Sequence, residues 1–281
     1  MSRSSICLSA HAKINLWLRV LGKREDGFHA VDTRMCPIGI ADRIDIKLLT
    51  EGQTQLTCSD PALPVDDSNL ALKSLRAFEQ RTGIVKPWRI HLDKRIPSGA
   101  GLGGGSSDAA AVLLGVNELN GLPLSLAELS VLAGRIGSDV PFFLHGATCD
   151  ATSRGEIVTP VEFPHQLHLV LIKPPFGIPT PWAYQRWSTS QPLLGVRYEA
   201  QSTSWGDMVN DLERPVFQKH YFLAALKAWL LAQTETVAAL MSGSGSTMFA
   251  ITSDNASAHQ LAARARDYCG DTCWVEVTKT L

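Results

Sequence analysis

Residues 97–110 read PSGAGLGGGSSDAA, and five of the seven positions from Gly99 to Gly105 are glycine. A side chain at these positions would hold the backbone away from a ligand, whereas glycine lets it approach and adopt positive φ. Successive N–H groups in such a run form a nest for phosphate oxygens. The apolar stretch AAAVLLGVNEL that follows reads as a helix over 106–120, ended by Gly121. Its first turn adds free N–H groups and the positive end of the helix dipole. The candidate cradle is therefore Pro97, Ser98, Gly99, Ala100, Gly101, Leu102, Gly103, Gly104 and Gly105. The hydroxyls of Ser106 and Ser107 follow as further donors, with Ser107 as a candidate for reaching a metal ion.

Other glycine-rich loops fit less well. Gly99-x-Gly101-x-x-Gly104 matches the dinucleotide fingerprint literally, but any glycine-dense run does so. That reading needs a parallel strand with an acidic end about 20 residues on. A second helix, 125–136, follows instead, opened by a capping box of Ser125 and Glu128 and stopped by Gly137. A nucleotide loop of the Walker type ends in Gly-Lys-Ser/Thr, and Gly105 here runs directly into Ser106. A mere packing turn would carry a large entropic cost for so many glycines.

Outward from the loop, residues 6–20 alternate as a strand, with Ile14, Leu16, Leu18 and Val20 on one face and Lys13, Asn15, Trp17 and Arg19 on the other. Strands are expected at 44–49, 89–93, 167–173, 237–240, 247–252 and 274–277. Helices are expected at 69–82 (begun by Ser68), 221–233 and 255–268, and Ser138 is expected to cap a short segment, DVPFFLHG. Residues 174–206, rich in Pro, Ser, Thr and Trp, read as irregular. Periodicity lapses near 155–166, which suggests two domains, 1–158 and 159–281, in an α+β chain whose second half carries a split βαβ sheet.

The chain has 281 residues, 45% hydrophobic and 19% charged, with a net charge of −1 and an isoelectric point near 6.7. This balance gives no general attraction to nucleic acid or anionic membrane, so an anionic ligand must be held by a local site. The first twenty residues are interrupted by His11, Lys13, Asn15 and Arg19, unlike a signal peptide, and no apolar run reaches the roughly 18 residues of a spanning helix. Six cysteines without a CxxC pair fit reduced thiols rather than a zinc site. A soluble, cytoplasmic protein is expected, monomeric or weakly dimeric, with no membrane or nucleic-acid partner.

The loop resembles the second motif of the GHMP kinases, and three other segments agree in order along the chain. AHAKINLWLRVLGKREDGFH (10–29) is similar to the family's N-terminal segment, GSDVPFF (137–143) to its aspartate segment, and MSGSGSTMFAI (241–251) to its third, glycine-rich motif. Within the family the likeness is to members that phosphorylate an alcohol bearing a cytidine diphosphate, on the non-mevalonate isoprenoid route. The resemblance implies an N-terminal ribosomal-protein-S5-like nucleotide domain and a C-terminal ferredoxin-like domain, with ATP and Mg²⁺ as cofactors and a small-molecule substrate carrying that cytidine diphosphate. It implies that Lys13 and Asp139 are catalytic. Lys13 would neutralise charge on the transferring phosphoryl group. Asp139 would orient the acceptor hydroxyl and take its proton late, since a loose transition state needs little early deprotonation. By the same resemblance Asn15, Phe28, His29 and Tyr184 bind substrate, His29 reading cytosine between aromatic rings. Phe28 departs from the family's usual tyrosine, so stacking is kept and a hydroxyl hydrogen bond is lost. Asn69 is expected near the adenine, or as plain helix-capping chemistry, and the Ser242–Ser246 loop beside the phosphate loop. Two rival readings are another kinase of the same family, such as a homoserine or mevalonate kinase, and a non-catalytic nucleotide-binding protein on the same fold.

Overall fold

A computed structural model describes residues 3–281. Its elements in chain order are β1 (Ser5–Lys23), β2 (His29–Leu48), β3 (Gln55–Cys58), α1 (Leu70–Thr82), β4 (Trp88–Asp93), α2 (Gly104–Leu119), α3 (Leu126–Ile136), α4 (Val140–Phe143), β5 (Cys149–Thr152) and β6 (Ile157–Pro160). The second half continues with β7 (His168–Lys173), α5 (Thr180–Trp187), β8 (Gln201–Thr203), β9 (Gly206–Asn210), α6 (Glu213–Lys219), α7 (Tyr221–Leu231), β10 (Thr236–Met241), β11 (Met248–Thr252), α8 (Asn255–Cys269) and β12 (Trp274–Lys279).

The strands form two sheets. The first runs β3-β4-β2-β1-β9-β8, with β5 paired to β2 and β6 to β5. The second runs β10-β11-β7-β12 and is antiparallel throughout. With its helices lying between β7 and β10 and between β11 and β12, this is the ferredoxin-like split βαβ order expected of the second half. Helices α1 and α2 cover one side of the first sheet through Leu75, Phe78, Val112 and Val116 against Ile44, Ile46 and Ile90. Ala12, Ile14 and Leu16 of β1 meet Leu169, Leu171, Leu240 and Phe249 of the second sheet in a shared core. The helices of the second half close the other face of that sheet.

The expected alternation in β1 holds for its apolar face. The opposite face is closed to solvent at its first two positions, where Lys13 and Asn15 are 3% and 2% exposed, and opens only at Arg19. Register shifts between His11 and Lys13 and between Asn15 and Trp17 bracket this pair, the kind of irregularity that re-aims side chains beside a site. The 125–136 helix keeps its capping box, and Asn117 ties the α2–α3 turn by bonding both backbone groups of Leu124.

Several expectations are corrected. Helix α1 is capped by Asn69, not Ser68, because the Ser68 hydroxyl is held by Asp66 at 2.5 Å. Helix α2 begins at Gly104 rather than Ser106, with Gly103 in the left-handed region as its cap. Asp139, not Ser138, precedes α4, and makes no capping bond there. β2 is 20 residues long although only its end at 44–49 shows clear patterning, since Pro37, Gly39 and Asp42 break the alternation. The irregular 174–206 segment contains α5, with a proline in its first turn where the missing N–H costs nothing. The expected division at 158/159 falls inside β6, which is bonded to β5 of the first sheet. β8 and β9, from the second half of the chain, also join the first sheet.

Candidate active site

One cavity of about 820 Å³ runs between the glycine-rich loop, β1, the 26–29 turn, the head of α4 and the start of α5. Pro97 to Ser106 all line it, as do Lys13, Asn15, Phe28, His29, Asp139 and Tyr184. Residues spread over 172 positions of sequence thus share one wall, and these expected site residues are brought together.

The phosphate loop is held from behind. The carbonyls of Ala100, Gly101 and Leu102 accept from Thr247 N at 3.1 Å, Ser242 Oγ at 3.0 Å and Lys13 N at 3.0 Å. With its acceptors engaged away from the cavity, the loop can offer N–H groups to an anion. Two glycines are required by packing as well as by ligand approach. At Gly101, φ is +75° and a Cβ would lie 2.2 Å from the Ser242 carbonyl oxygen; at Gly103, φ is +75° and a Cβ would lie 2.6 Å from the Phe143 ring.

The early start of α2 has a consequence for the two serines. Ser106 lines the cavity, whereas Ser107, one residue further round the helix, is 2% exposed and does not. Ser107, the expected candidate for a metal ion, is thus turned away from the cavity, and Ser106 is the serine that faces it. Asn69 is likewise outside the cavity lining. Its amide donates to the Pro64 carbonyl at 2.7 Å while its carbonyl caps α1.

At the centre, Lys13 Nζ donates to Asn15 Oδ1 at 2.6 Å and lies 3.7 Å from Asp139 Oδ2. Asn15 donates to Thr33 Oγ1 at 2.8 Å, and Thr33 to the Trp17 carbonyl at 2.6 Å, so the pair's orientation is fixed by a chain of bonds. Burial pushes the Lys13 pKa down and Asp139 opposes that shift. The carboxylate faces the open space, with its side chain 40% exposed.

At the far end His29 stands 5.4 Å from Tyr184 and 6.3 Å from Trp187, ring centre to ring centre. Burial and Lys23 lower the His29 pKa, so the imidazole is neutral at pH 7 and has one donor and one acceptor nitrogen. Burial, with Asp139 adding to it, raises the Tyr184 pKa, so its hydroxyl stays protonated. Tyr184 lies on α5, not in a loop.

Sequence reasoning missed two features of this cavity. Arg154 lines it and its guanidinium sits over the Phe28 ring at 4.9 Å. The short turn ATSRGE carries no periodic signal, and only its lone arginine hinted at a role. Beneath the phosphate loop, Lys94 bonds Asp42 and, at 2.5 Å, Asp108. Asp42 also accepts from the backbone of Arg95 and Ile96 at 2.5 and 2.8 Å. This cluster braces both ends of the loop, and the aspartate of SSDAA was its visible signal.

Among the described residues, no group of three or more His, Cys, Asp or Glu side chains gathers as a metal site. What is present, the Ser106 hydroxyl and the Asp139 carboxylate on the walls of a phosphate cradle, fits an ion such as Mg²⁺. That ion keeps waters and takes phosphate oxygens as its other ligands. Also among the described residues, no helix is long and apolar enough to cross a membrane.

A buried lysine facing a half-exposed aspartate, beside a glycine-rich loop at a helix N-terminus, is the arrangement of a phosphotransferase site. The family description "GHMP kinases N terminal domain" matches residues 69–147, and "GHMP kinases C terminal" matches 199–271. A 4-diphosphocytidyl-2-C-methyl-D-erythritol kinase from Methylacidiphilum infernorum is 43% identical over 275 residues, covering 97% of this chain and 96% of the relative. A crystal structure of 4-(cytidine 5'-diphospho)-2C-methyl-D-erythritol kinase superposes with a TM-score of 0.79 at 32% identity, covering 98% of this chain and 100% of the other. Homoserine kinase from Cytophaga hutchinsonii has the same fold, with a TM-score of 0.70 at 17% identity over 100% of this chain and 96% of its own. The chain belongs to the GHMP kinases and, within them, to the 4-diphosphocytidyl-2-C-methyl-D-erythritol kinases.

Proposed function

We propose that this protein transfers the γ-phosphoryl group of ATP to the 2-hydroxyl of 4-(cytidine-5′-diphospho)-2-C-methyl-D-erythritol, a step of non-mevalonate isoprenoid synthesis. The observation that carries this reading is the continuity of one cavity from the glycine loop, through Lys13 and Asp139, to His29 and Tyr184.

Phosphoryl transfer passes through a loose transition state, so catalysis is mostly positioning and charge stabilisation. The 97–105 loop and the N-terminus of α2 bind the nucleotide phosphates; Asn69 is left as the cap of α1. Lys13, held by Asn15 and nearly dry, presents its ammonium where negative charge accumulates. A charge fixed in a water-poor site acts more strongly than one in solvent. Asp139 accepts the hydrogen bond of the acceptor hydroxyl, orients its oxygen in line, and takes the proton once the new bond has formed. Ser106 would hold Mg²⁺, which would supply further neutralisation of phosphate charge.

The neutral His29 imidazole pairs with the edge of the cytosine ring, and Phe28 and Tyr184 provide aromatic surface beside it. Arg154 is the cation at this end of the cavity and suits the diphosphate of the acceptor. The protein works in the cytoplasm as a monomer or weak dimer.

The test is ADP release in the presence of Mg²⁺ with each alcohol in turn. Turnover with the cytidine diphosphate alcohol, and none with homoserine or mevalonate, is the expected result. Turnover with either of the latter moves the protein to another branch of the family. Binding of ATP with no transfer to any of the three makes it a non-catalytic nucleotide-binding protein.

A further inference from the structure

The stretch Asn210–Glu213, reading NDLE, lies where the two sheets meet. Asn210 ends β9, opposite Leu18 of β1 in a parallel pairing. The next residue is bonded to β1 at two points: Asp211 N donates to the Leu18 carbonyl at 2.9 Å, and Asp211 Oδ2 accepts from Val20 N at 2.7 Å. The Asn210 side chain turns the other way. Its amide donates to the Met241 carbonyl at 2.7 Å and to the Gly243 carbonyl at 2.8 Å, while its own carbonyl accepts from Leu212 N at 2.9 Å. The residue is 2% exposed, and both amide hydrogens point at the run entering the second glycine-rich loop.

β10 is an edge strand of the second sheet. An edge leaves backbone groups without a ladder partner, and a buried one must find partners elsewhere. Here side chains supply them. Gln201 bonds both backbone groups of Ala239, Glu213 Oε1 accepts from Met241 N at 2.9 Å, and Asn210 takes the carbonyls of Met241 and Gly243. Among these only the Asn210 bond reaches past the strand into the loop at the cavity wall.

That wall touches Lys13. Gly243 and Ser244 line the cavity, and a Cβ at Gly243 would stand 3.1 Å from Lys13 Nζ and 3.6 Å from Asn15 Oδ1. Asp139 is the charged group that faces Lys13. One residue is thus tied through its backbone neighbour to the strand that carries Lys13, and through its amide to the loop that encloses it.

We propose that Asn210 is a positioning residue for phosphoryl transfer: its amide sets the spacing between β1 and the Met241–Gly243 backbone, which keeps Lys13 enclosed and aimed at Asp139. It acts through Gly243 and does not touch the reactants. The kinetic part rests on the kinase reading above; the enclosure of Lys13 does not.

The experiment uses Asn210→Ser, which keeps one donor, and Asn210→Asp, which keeps the shape and loses both amide donors. Two quantities are measured. Acetic anhydride labelling at fixed pH, with peptide mapping by mass spectrometry, reads the exposure of the Lys13 amine without reference to activity. Steady-state kinetics read kcat and the KM for ATP. Expected are faster labelling of Lys13 in both variants, with other lysines unchanged, and a kcat lower by about tenfold or more at a KM for ATP within about threefold, as for misplacement of a reacting group. Unchanged Lys13 labelling overturns the proposal, whatever the activity. So does loss of the circular dichroism of the folded protein in both variants, which makes Asn210 a residue of stability alone. If Lys13→Met retains full activity, the kinase assignment of Lys13 fails, while the labelling arm still decides whether Asn210 encloses it.

Discussion

The two glycine-rich loops of this protein are built alike and work differently. Residues 97–105 and 242–246 each place glycines in the left-handed region: Gly99, Gly101 and Gly103 in one, Gly243 and Gly245 in the other. The first loop is lined up along the cavity over its whole length, with its carbonyls bonded from behind. The second loop and the residue just after it provide two of those bonds, and Lys13 N provides the third. Ser242 and Thr247 donate to the first loop, Ser246 bonds the Phe176 carbonyl, and the Ser244 hydroxyl lies 2.7 Å from that of Thr180. Glycine richness in the first loop leaves its backbone open along the cavity; in the second it makes room for the first loop. The same composition therefore signals a binding surface in one place and its support in the other, and only the direction of the carbonyls separates them.

That contrast can be broken at the point where both loops converge. Lys13 is bonded to the first loop through its backbone and walled by the second. Lys13→Met and Asp139→Asn are each expected to lower kcat by about a hundredfold or more, the scale of losing a positioned catalytic group. Stopped or steady-state ADP release checks this, and near-normal turnover in either variant removes that residue from the transfer step.

A smaller effect is expected where the loops touch. In Gly101→Ala the new methyl meets the Ser242 carbonyl and a positive φ together. The two loops must part, and the KM for ATP should rise about tenfold, the order of an overpacked and strained site. Isothermal titration with ATP reads the accompanying rise in Kd directly. An unchanged affinity would mean that the loops are not in register as described.

The base of the first loop predicts a pH dependence. Asp108 is pushed up to about 7, by burial first, with Asp42 adding to the shift and Lys94 opposing it. An ordinary aspartate titrates near 3.9, so the folded protein holds this proton more tightly than the unfolded chain. Its contribution to stability is fully present below about pH 4 and is lost as pH rises through about 7. Urea unfolding should show wild-type stability falling across that range, and Asp108→Asn should fall less. Equal slopes would place the proton elsewhere in the Lys94 cluster.

The smallest effect is expected at the joint itself. Ser242→Ala removes one neutral hydrogen bond to the Gly101 carbonyl, worth about 1 kcal/mol. Thermal unfolding should register that loss while kcat changes by less than about twofold. A large kinetic loss would promote the second loop from support to participant.

The glycine-rich wall of the cavity was legible because local chemistry dictates it. A run such as Gly99–Gly105 ahead of an apolar helix has few uses other than an anion cradle, and four motifs in order along one chain named the family. The helix with its capping box at Ser125 and the split βαβ order of the second half were legible for the same reason, since propensity and pattern there agree with the fold.

Other features depended on where distant segments meet. Lys13 reads as an exposed lysine on a strand until the Asp139 side chain and the Gly243 backbone come to lie against it. Ser107 looked equivalent to Ser106 until the start of α2 fixed which one faces the cavity, because one residue turns a helix by about 100°. Arg154 and the Lys94 cluster carry no periodic signal, because a short turn and a lone buried charge have none. Asn210 is the extreme case. A side chain that replaces a missing neighbour for an edge strand is invisible in sequence, because the strand it serves lies some thirty residues away. The residues themselves determined which family this chain belongs to and that a glycine-rich run leads into its α2 helix. Which charges are dry, which serine faces the ligand and what holds the second loop against the first were decided only by tertiary structure, since burial and hydrogen-bond partners belong to pairs of segments and not to either one alone.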